Sequence, residues 1–159
     1  MSNRDFDIVV YGASGFTGRL VAEYMHKQYG RTVNWAMAGR SETKLAQVRD
    51  EMGISQDTPL VVADADDAAS LKAMAENTKV LLTTVGPYQL YGSPVVAACA
   101  AAGTDYVDLS GEPGWMHEMI GAHDAAAKAS GARIVHSCGF DSIPFDMGVY
   151  FLQKNAQEK

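Results

Sequence analysis

Three glycines follow a short apolar run near the start of the chain, at steps of three residues. The run at 8–11 predicts a β-strand, and an amphipathic pattern begins among the glycines Gly12, Gly15 and Gly18. A strand, a tight turn and a helix N-terminus in this order offer main-chain N–H groups to a phosphate. Gly12 permits the turn, Gly15 lets the backbone approach a pyrophosphate, and Gly18 lets the helix lie close to the sheet. The GxxGxxG spacing therefore favours a dinucleotide site, although glycine-rich turns also occur as plain connections.

An arginine follows the second predicted strand, where enzymes that use NAD usually carry an acid. The segment 37–41 reads Met-Ala-Gly-Arg-Ser and contains no carboxylate. The planar guanidinium of Arg40 suits a 2′-phosphate, and Ser41, Lys44 and Arg19 are placed to add to it. This predicts NADP(H) as the cofactor, against the alternative of a solvated arginine at the start of a helix.

Asp64 ends the third predicted strand and is expected beside the adenine of a bound dinucleotide. Two interpretations stay open for this carboxylate. It could accept a hydrogen bond from the adenine amino group, or it could cap the helix that follows.

Loops rich in glycine and proline follow the fourth, fifth and sixth predicted strands, on the nicotinamide side of such a site. They cover 84–92, 110–113 and 137–144. Glu112 and Asp141 are candidates for proton transfer if burial raises their pKa, and Tyr88 is a candidate acid or lid. The alternatives are structural, with Glu112 supporting the N-terminus of the next helix, Asp141 holding a turn and Tyr88 packing over a ring. Cys138 has no identifiable base beside it, so a nucleophilic role is not favoured.

Tyr150 and Lys154 form a Tyr-x-x-x-Lys pair with Ser137 upstream, which is similar to the catalytic set of short-chain dehydrogenases. The asparagine motif expected after the fourth strand of that family is missing. The last helix also carries many apolar residues, so we expect it to be buried on the sheet. An extended or atypical short-chain dehydrogenase that uses Tyr150 and Lys154 is therefore the alternative interpretation.

Strand and helix patterns alternate from end to end, which predicts an α/β fold with a parallel sheet. The predicted strands are 8–11, 33–38, 60–63, 80–84, 106–109 and 133–136. The predicted helices are 16–29, 42–52, 66–77, 93–102 and 113–130, with a last one from about residue 144 towards 154. Six strands fit the doubly wound Rossmann order 3-2-1-4-5-6, in one dinucleotide-binding domain over 1–159.

The composition restricts the partners and the compartment. The formal net charge of −6 gives no general support for a nucleic-acid partner. Two cysteines do not make a disulfide framework and suggest a reducing compartment, and the four histidines lack metal-ligand spacing. The polar N-terminus is unlike a signal peptide, and no apolar run is long enough to span a bilayer. We therefore expect a cytoplasmic protein without a metal site.

Several short segments together resemble one family. They are Tyr-Gly-Ala-Ser-Gly-Phe-Thr-Gly at 11–18, Ala-Gly-Arg-Ser at 38–41, Val-Gly-Pro-Tyr at 85–88 followed by Gly92, Tyr-Val-Asp-Leu-Ser-Gly-Glu at 106–112, and Gly-Phe-Asp-Ser-Ile-Pro-Phe-Asp at 139–146. The combination resembles the N-terminal domain of saccharopine dehydrogenase-like oxidoreductases, a group that includes the mycobacterial trans-acting enoyl reductases of lipid synthesis. The resemblance implies hydride transfer between NADP(H) and a carbonyl, imine or enoyl substrate.

The same resemblance assigns residues to the cofactor. It implies that the pyrophosphate is held by Gly12, Ser14, Gly15, Phe16, Thr17 and Gly18. It implies that Arg40 selects NADP and that Gly86, Pro87 and Tyr88 flank the nicotinamide.

Proteins of this kind resemble two-domain enzymes, in which a second domain supplies substrate contacts and a homodimer interface. Because this chain ends at Lys159, we expect that domain to be absent and catalysis by the chain alone to be incomplete. A module that senses NADPH without catalysis is a further alternative.

Overall fold

Six strands alternate with six helices along the part of the chain that the computed structural model describes, residues 4–30 and 32–157. The strands are β1 (Phe6–Tyr11), β2 (Trp35–Gly39), β3 (Leu60–Val62), β4 (Thr78–Thr83), β5 (Asp105–Asp108) and β6 (Ile134–Val135). The helices are α1 (Phe16–Tyr29), α2 (Glu42–Glu51), α3 (Ala68–Glu76), α4 (Tyr88–Ala102), α5 (Pro113–Ser130) and α6 (Ile143–Gln157). The predicted alternation of strands and helices is confirmed.

All the strands are parallel and lie in the order β3-β2-β1-β4-β5-β6, which confirms the predicted doubly wound topology. Val10 of β1 lies between Met37 of β2 and Leu82 of β4. From β1 the chain continues to β2 and β3 on one side of the sheet, and from β4 it continues to β5 and β6 on the other side. The carboxyl ends of β1 and β4 therefore mark the switch point where ligands bind in such sheets.

The two faces of the sheet carry separate cores. Val9 and Leu81 point into a cluster with residues of α3, α4 and α5, whereas Val10 and Met37 pack with residues of α1 and α2. Adjacent residues of a strand face opposite sides, so the continuous apolar run of β1 is explained by burial on both faces.

Helix α4 begins at Tyr88, five residues before the predicted start at Ser93, and it contains Pro94 in its interior. The prediction was wrong because Ser93-Pro94 is typical of a helix start, whereas the Ser93 hydroxyl accepts a hydrogen bond from Trp115 Nε1 instead. The actual N-terminus is capped from a distant part of the chain, by the carboxylate of Glu112. A local capping rule does not reach such a partner.

Helix α6 has no buried residue, so the expectation that it is buried on the sheet was wrong. Most of its large apolar side chains are half or more exposed, including Phe145 at 65%, Phe151 at 64% and Leu152 at 67%. An apolar composition shows that a helix requires a partner surface but does not say which surface. Among the described residues, the sheet does not cover the apolar side chains of α6. No helix of the described chain has the length and apolar composition required to cross a membrane.

The first helix is pressed against the turn that precedes it. Gly12 has a φ of +88°, which glycine adopts without strain. A Cβ at Gly18 would lie 2.0 Å from the carbonyl oxygen of Gly12 and 2.9 Å from Cα of Ala13. The main chain of α1 therefore touches the main chain of the β1–α1 turn, and only glycine fits at position 18.

Gly18→Ala should destabilise the fold by about 3 kcal/mol, because the added methyl group overlaps main-chain atoms that cannot rotate away. Urea unfolding measures this change. Gly121→Ala is the matched control, since Gly121 lies inside α5 and, apart from the adjoining residues and the backbone of its own helix, no atom is within 4 Å of the place that its added methyl group would occupy. The control should be neutral or more stable by about 0.5–1 kcal/mol. Equal effects of the two substitutions would contradict the close approach of α1.

Candidate dinucleotide site

A cleft of about 290 Å³ opens at the carboxyl edge of the sheet, above the switch point between β1 and β4. Its walls come from the ends of β1 to β4 and from α4. The lining residues are Tyr11, Gly12, Ser14, Gly15, Gly39, Arg40, Asp64, Ala65, Asp66, Thr84, Val85, Gly86 and Tyr91. The structure thus brings together six predicted cofactor residues from four separate loops.

The glycine turn presents main-chain amides to this cleft. The first hydrogen bond within α1 runs from Arg19 N to Gly15 O, over 3.0 Å. The amides of Phe16, Thr17 and Gly18 precede it and so have no acceptor in the helix. Gly15 is exposed and, as the N-cap of α1, has no side chain to occupy the space in front of them. This arrangement fits the pyrophosphate of a dinucleotide.

Arg40 provides the positive charge of the cleft. Its side chain is exposed and lines the cleft, and none of the described residues forms an ion pair with it. Ser41 is the N-cap of α2, where its Oγ accepts a hydrogen bond from Lys44 N at 3.3 Å. Arg19 instead lies 3.6 Å from the carboxylate of Glu51, so its charge is already partnered on α2. Arg40 is therefore the basic residue of this group that lines the cleft.

Asp64 also lines the cleft, but it does not cap the next helix. Its Oδ1 accepts a hydrogen bond from Asp66 N at 3.1 Å, which closes a turn directly after β3. The N-cap of α3 is Asp67, whose carboxylate accepts from the amides of Ala69 and Ser70. The capping interpretation of Asp64 was therefore wrong, because the chain makes one more turn before α3 begins.

Several lining residues were not predicted as site residues. Tyr11 is 3% exposed, and burial, together with the charge of Asp64, raises the pKa of its hydroxyl to about 12. Thr84 Oγ1 donates to Tyr11 O at 3.3 Å, which holds the ends of β1 and β4 together. Tyr91 reaches the cleft because α4 begins earlier than expected. For Tyr11 and Thr84, the available signal was their position at strand ends in a doubly wound sheet.

Two acid–base candidates on the nicotinamide side have their polar atoms occupied by the fold. The Tyr88 hydroxyl is buried, donates to Thr83 O at 3.1 Å, and has a pKa raised to about 12, chiefly by burial. The two oxygens of Glu112 accept from the amides of Tyr88 and Gln89 at 2.7 and 2.8 Å. Glu112 thus supports the N-terminus of α4 and not, as the structural alternative predicted, that of the helix after it.

The remaining candidates are not assembled into a site. Asp141 is exposed, and Cys138 has a pKa raised by burial and by the nearby Asp108, which disfavours a thiolate nucleophile. Tyr150 and Lys154 lie on the exposed α6, and no hydrogen bond joins either to Ser137 within the described residues. No group of three potential metal ligands is found in the described chain.

Sequence reasoning missed a buried pair between the ends of β5 and β6. Asp108 Oδ2 lies 2.7 Å from Nδ1 of His136, and the two side chains are 0% and 8% exposed. Burial alone would raise the pKa of Asp108, but hydrogen bonds from His136, Ser110, Ser137 and Tyr106 together hold it below its ordinary value. Because a carboxylate only accepts, His136 donates through Nδ1. The carboxylate is therefore charged and fully bonded.

A larger depression of about 760 Å³ lies elsewhere, between the end of α1 and the start of β2. Its lining includes Gln28, Asn34 and Pro59. It lies at the amino edge of the sheet, away from the glycine turn and Arg40, so it is not the dinucleotide site.

Comparison with protein families decides the kind of site. Residues 8–135 match the family described as saccharopine dehydrogenase NADP binding domain. The chain belongs to this family. Its cofactor is NADP(H), which confirms the prediction made from Arg40 and from the resemblance.

Curated relatives extend the match over nearly the whole chain. A trans-acting enoyl reductase of Mycobacterium leprae is 51% identical over 98% of this chain and 37% of its own length. A trans-acting enoyl reductase of Mycobacterium ulcerans is 49% identical over 99% of the chain and 38% of its own length. The chain thus spans little more than a third of these relatives.

Solved structures share the fold of this saccharopine dehydrogenase NADP-binding domain. Saccharopine dehydrogenase (L-Glu forming) from Saccharomyces cerevisiae matches 86% of the chain and 28% of its own, with a TM-score of 0.63 at 16% identity. Triphenylmethane reductase of Citrobacter sp. matches 82% of the chain and 48% of its own, with a TM-score of 0.61 at 21% identity. At these identities the likeness concerns the Rossmann architecture alone.

Asp108 should make the stability of the domain sensitive to acid. Its lowered pKa means that its contribution is complete above the unfolded-state pKa of about 3.9 and is lost as the pH falls through the folded-state value. In Asp108→Asn, urea unfolding over a series of pH values should show a weaker loss of stability below about pH 4 than in the wild type.

Asp124→Asn is the control for this experiment, because Asp124 forms an exposed ion pair with Lys128 on α5. Its acid dependence should match that of the wild type. An unchanged acid dependence in Asp108→Asn would contradict the assignment of a charged Asp108.

Proposed function

We propose that this domain binds NADP(H) in the cleft at the carboxyl edge of its sheet and presents the nicotinamide for hydride transfer. The observation that carries the proposal is the row of open α1 amides beside the exposed guanidinium of Arg40. The amides suit a pyrophosphate, and the guanidinium suits the extra phosphate that distinguishes NADP from NAD.

The lining residues divide between the parts of the cofactor. We assign the pyrophosphate to the α1 N-terminus, the 2′-phosphate to Arg40 and Ser41, and the adenine to the neighbourhood of Asp64. Gly86 and Pro87 are exposed at the end of β4, on the side left for the nicotinamide. When bound, the reduced nicotinamide supplies a hydride, and the protein contributes orientation and electrostatics.

The substrate class follows from the relatives. Both relatives described above are named trans-acting enoyl reductases and are about half identical to this chain. We therefore favour an enoyl substrate among the carbonyl, imine and enoyl classes that the sequence left open. The acid–base roles predicted for Tyr88, Glu112 and Asp141 stay predictions, and the contacts of the first two favour structural roles.

The setting of the whole protein is inferred in the same way. The relatives are more than twice as long as this chain, which supports a second domain that supplies substrate contacts and a homodimer interface. We place the protein in the cytoplasm on the basis of its cysteine content, because two cysteines without a disulfide framework suit a reducing compartment. A net charge of −6 gives no support for a nucleic-acid partner.

Calorimetric titration of the chain with NADPH and NADH should show at least about tenfold tighter binding of NADPH, since a charge-assisted bond contributes about 1.5–3 kcal/mol. Arg40→Ala should remove most of this difference, because it weakens the binding of NADPH and leaves the binding of NADH nearly unchanged. Lys79→Ala is the control, because Lys79 lies at the opposite end of β4 and pairs with Asp7. An equal loss for both cofactors in Arg40→Ala would contradict the assignment of the 2′-phosphate.

Reductase activity is tested on a chimera that restores the length of the relatives. The chain joined to the C-terminal portion of the Mycobacterium leprae relative should oxidise NADPH in the presence of an enoyl thioester, followed by the absorbance of the reduced nicotinamide. Oxidation with carbonyl or imine substrates alone would move the assignment to those classes. A folded chimera that binds NADPH and oxidises it with none of the three would support the sensing module instead.

A further inference from the structure

The three loops on the nicotinamide side are joined by one continuous set of hydrogen bonds that starts at Asp108. One carboxylate oxygen accepts from the amides of Ser110 and Ser137, at 3.0 and 2.8 Å. The other accepts from Tyr106 Oη at 2.9 Å and from His136 Nδ1. A single buried side chain thus holds the start of the loop after β5 and the start of the loop after β6.

The same set of hydrogen bonds continues from these loops to the loop after β4. Ser137 Oγ donates to Ser110 O at 2.6 Å, and the amide of Glu112 donates to Ser110 Oγ at 3.2 Å. The Glu112 carboxylate then accepts the first two amides of α4, those of Tyr88 and Gln89. Tyr88 directly follows Gly86 and Pro87, the segment assigned to the nicotinamide.

Ser137 shows that the arrangement is held in place by its contacts. It has a φ of +59° and is the one non-glycine residue with a positive φ among the described residues. This conformation is unfavourable for a serine, so it persists where surrounding bonds determine it. Here the bonds come from Asp108 and from Ser110.

We propose that Asp108 and His136 are positioning residues that set the nicotinamide side of the cofactor cleft through Ser110 and Glu112. Neither side chain touches the cleft lining, so each acts through the loop it holds. The inference rests on the proposed function, because it requires the nicotinamide to lie beside Gly86 and Pro87. It assigns the adenine half to Arg40 and the glycine turn, which the bonds from Asp108 do not reach.

The test compares a ligand that fills both halves of the cleft with one that fills the adenine half. NADPH is the first probe, and adenosine 2′,5′-bisphosphate, which lacks the nicotinamide, is the second. Asp108→Asn places an amide opposite two hydrogen-bond donors. It should weaken the binding of NADPH by about tenfold and the binding of adenosine 2′,5′-bisphosphate by less than about twofold. The fluorescence of bound NADPH should also shift towards that of the free cofactor.

Asp105→Asn is the matched control. Asp105 lies on the same strand, β5. Its carboxylate accepts a hydrogen bond from the amide of Arg133 at 2.8 Å, which joins β5 to the start of β6. It lies at the opposite edge of the sheet, so its loss loosens the same pair of strands without reaching the cofactor loops. Its ratio of the two affinities should equal that of the wild type.

The outcomes separate the two proposals. A wild-type chain that binds neither probe would overturn the proposed function itself. Wild-type binding of both probes, with an unchanged affinity ratio in Asp108→Asn or the same change in Asp105→Asn, would overturn the positioning role alone. His136→Phe, which keeps a ring between Tyr106 and Trp115, replaces Asp108→Asn if that variant does not fold, and should shift the ratio in the same direction.

Discussion

The contact between Gly18 and the carbonyl of Gly12 is the constraint on which the rest of the site depends. It brings α1 against the turn after β1, so that the helix begins with its first amides at the carboxyl edge of the sheet. A side chain at position 18 would separate helix and turn and move those amides. The same edge receives the ends of β2, β3 and β4, because all the strands run in parallel. The position of the open α1 amides therefore depends on this close main-chain approach, and the position of the groups around them depends on the parallel sheet.

The two halves of the cleft are built by different physical means. The adenine half uses open main-chain amides and the exposed Arg40, which forms no ion pair with any of the described residues. The nicotinamide half uses buried polar side chains whose bonds are nearly all satisfied, from Asp108 through Glu112. Phosphates bind to exposed donors, whereas a flat ring has to be oriented by rigid loops. The difference in construction supports the proposal that the first half holds the phosphates and the second half the nicotinamide.

The apolar face of α6 is exposed within the described part of the chain. Residues such as Phe145 and Leu152 are largely exposed, although the composition of α6 is that of a buried helix. The relatives are much longer than this chain. Hydrophobic pattern predicted that the helix is covered, but the identity of its cover is a tertiary property.

The sequence by itself determined the element order, the sheet topology, the glycine turn and the cofactor preference. Local patterns and spacing express these features, as in the apolar run of β1 and the arginine after β2. The tertiary structure alone decided the start of α4, the cap from Glu112 and the Asp108–His136 pair. These depend on residues that are between 23 and 28 positions apart along the chain. Such contacts leave no local pattern, because burial and side-chain direction bring the partners together only after the sheet has formed.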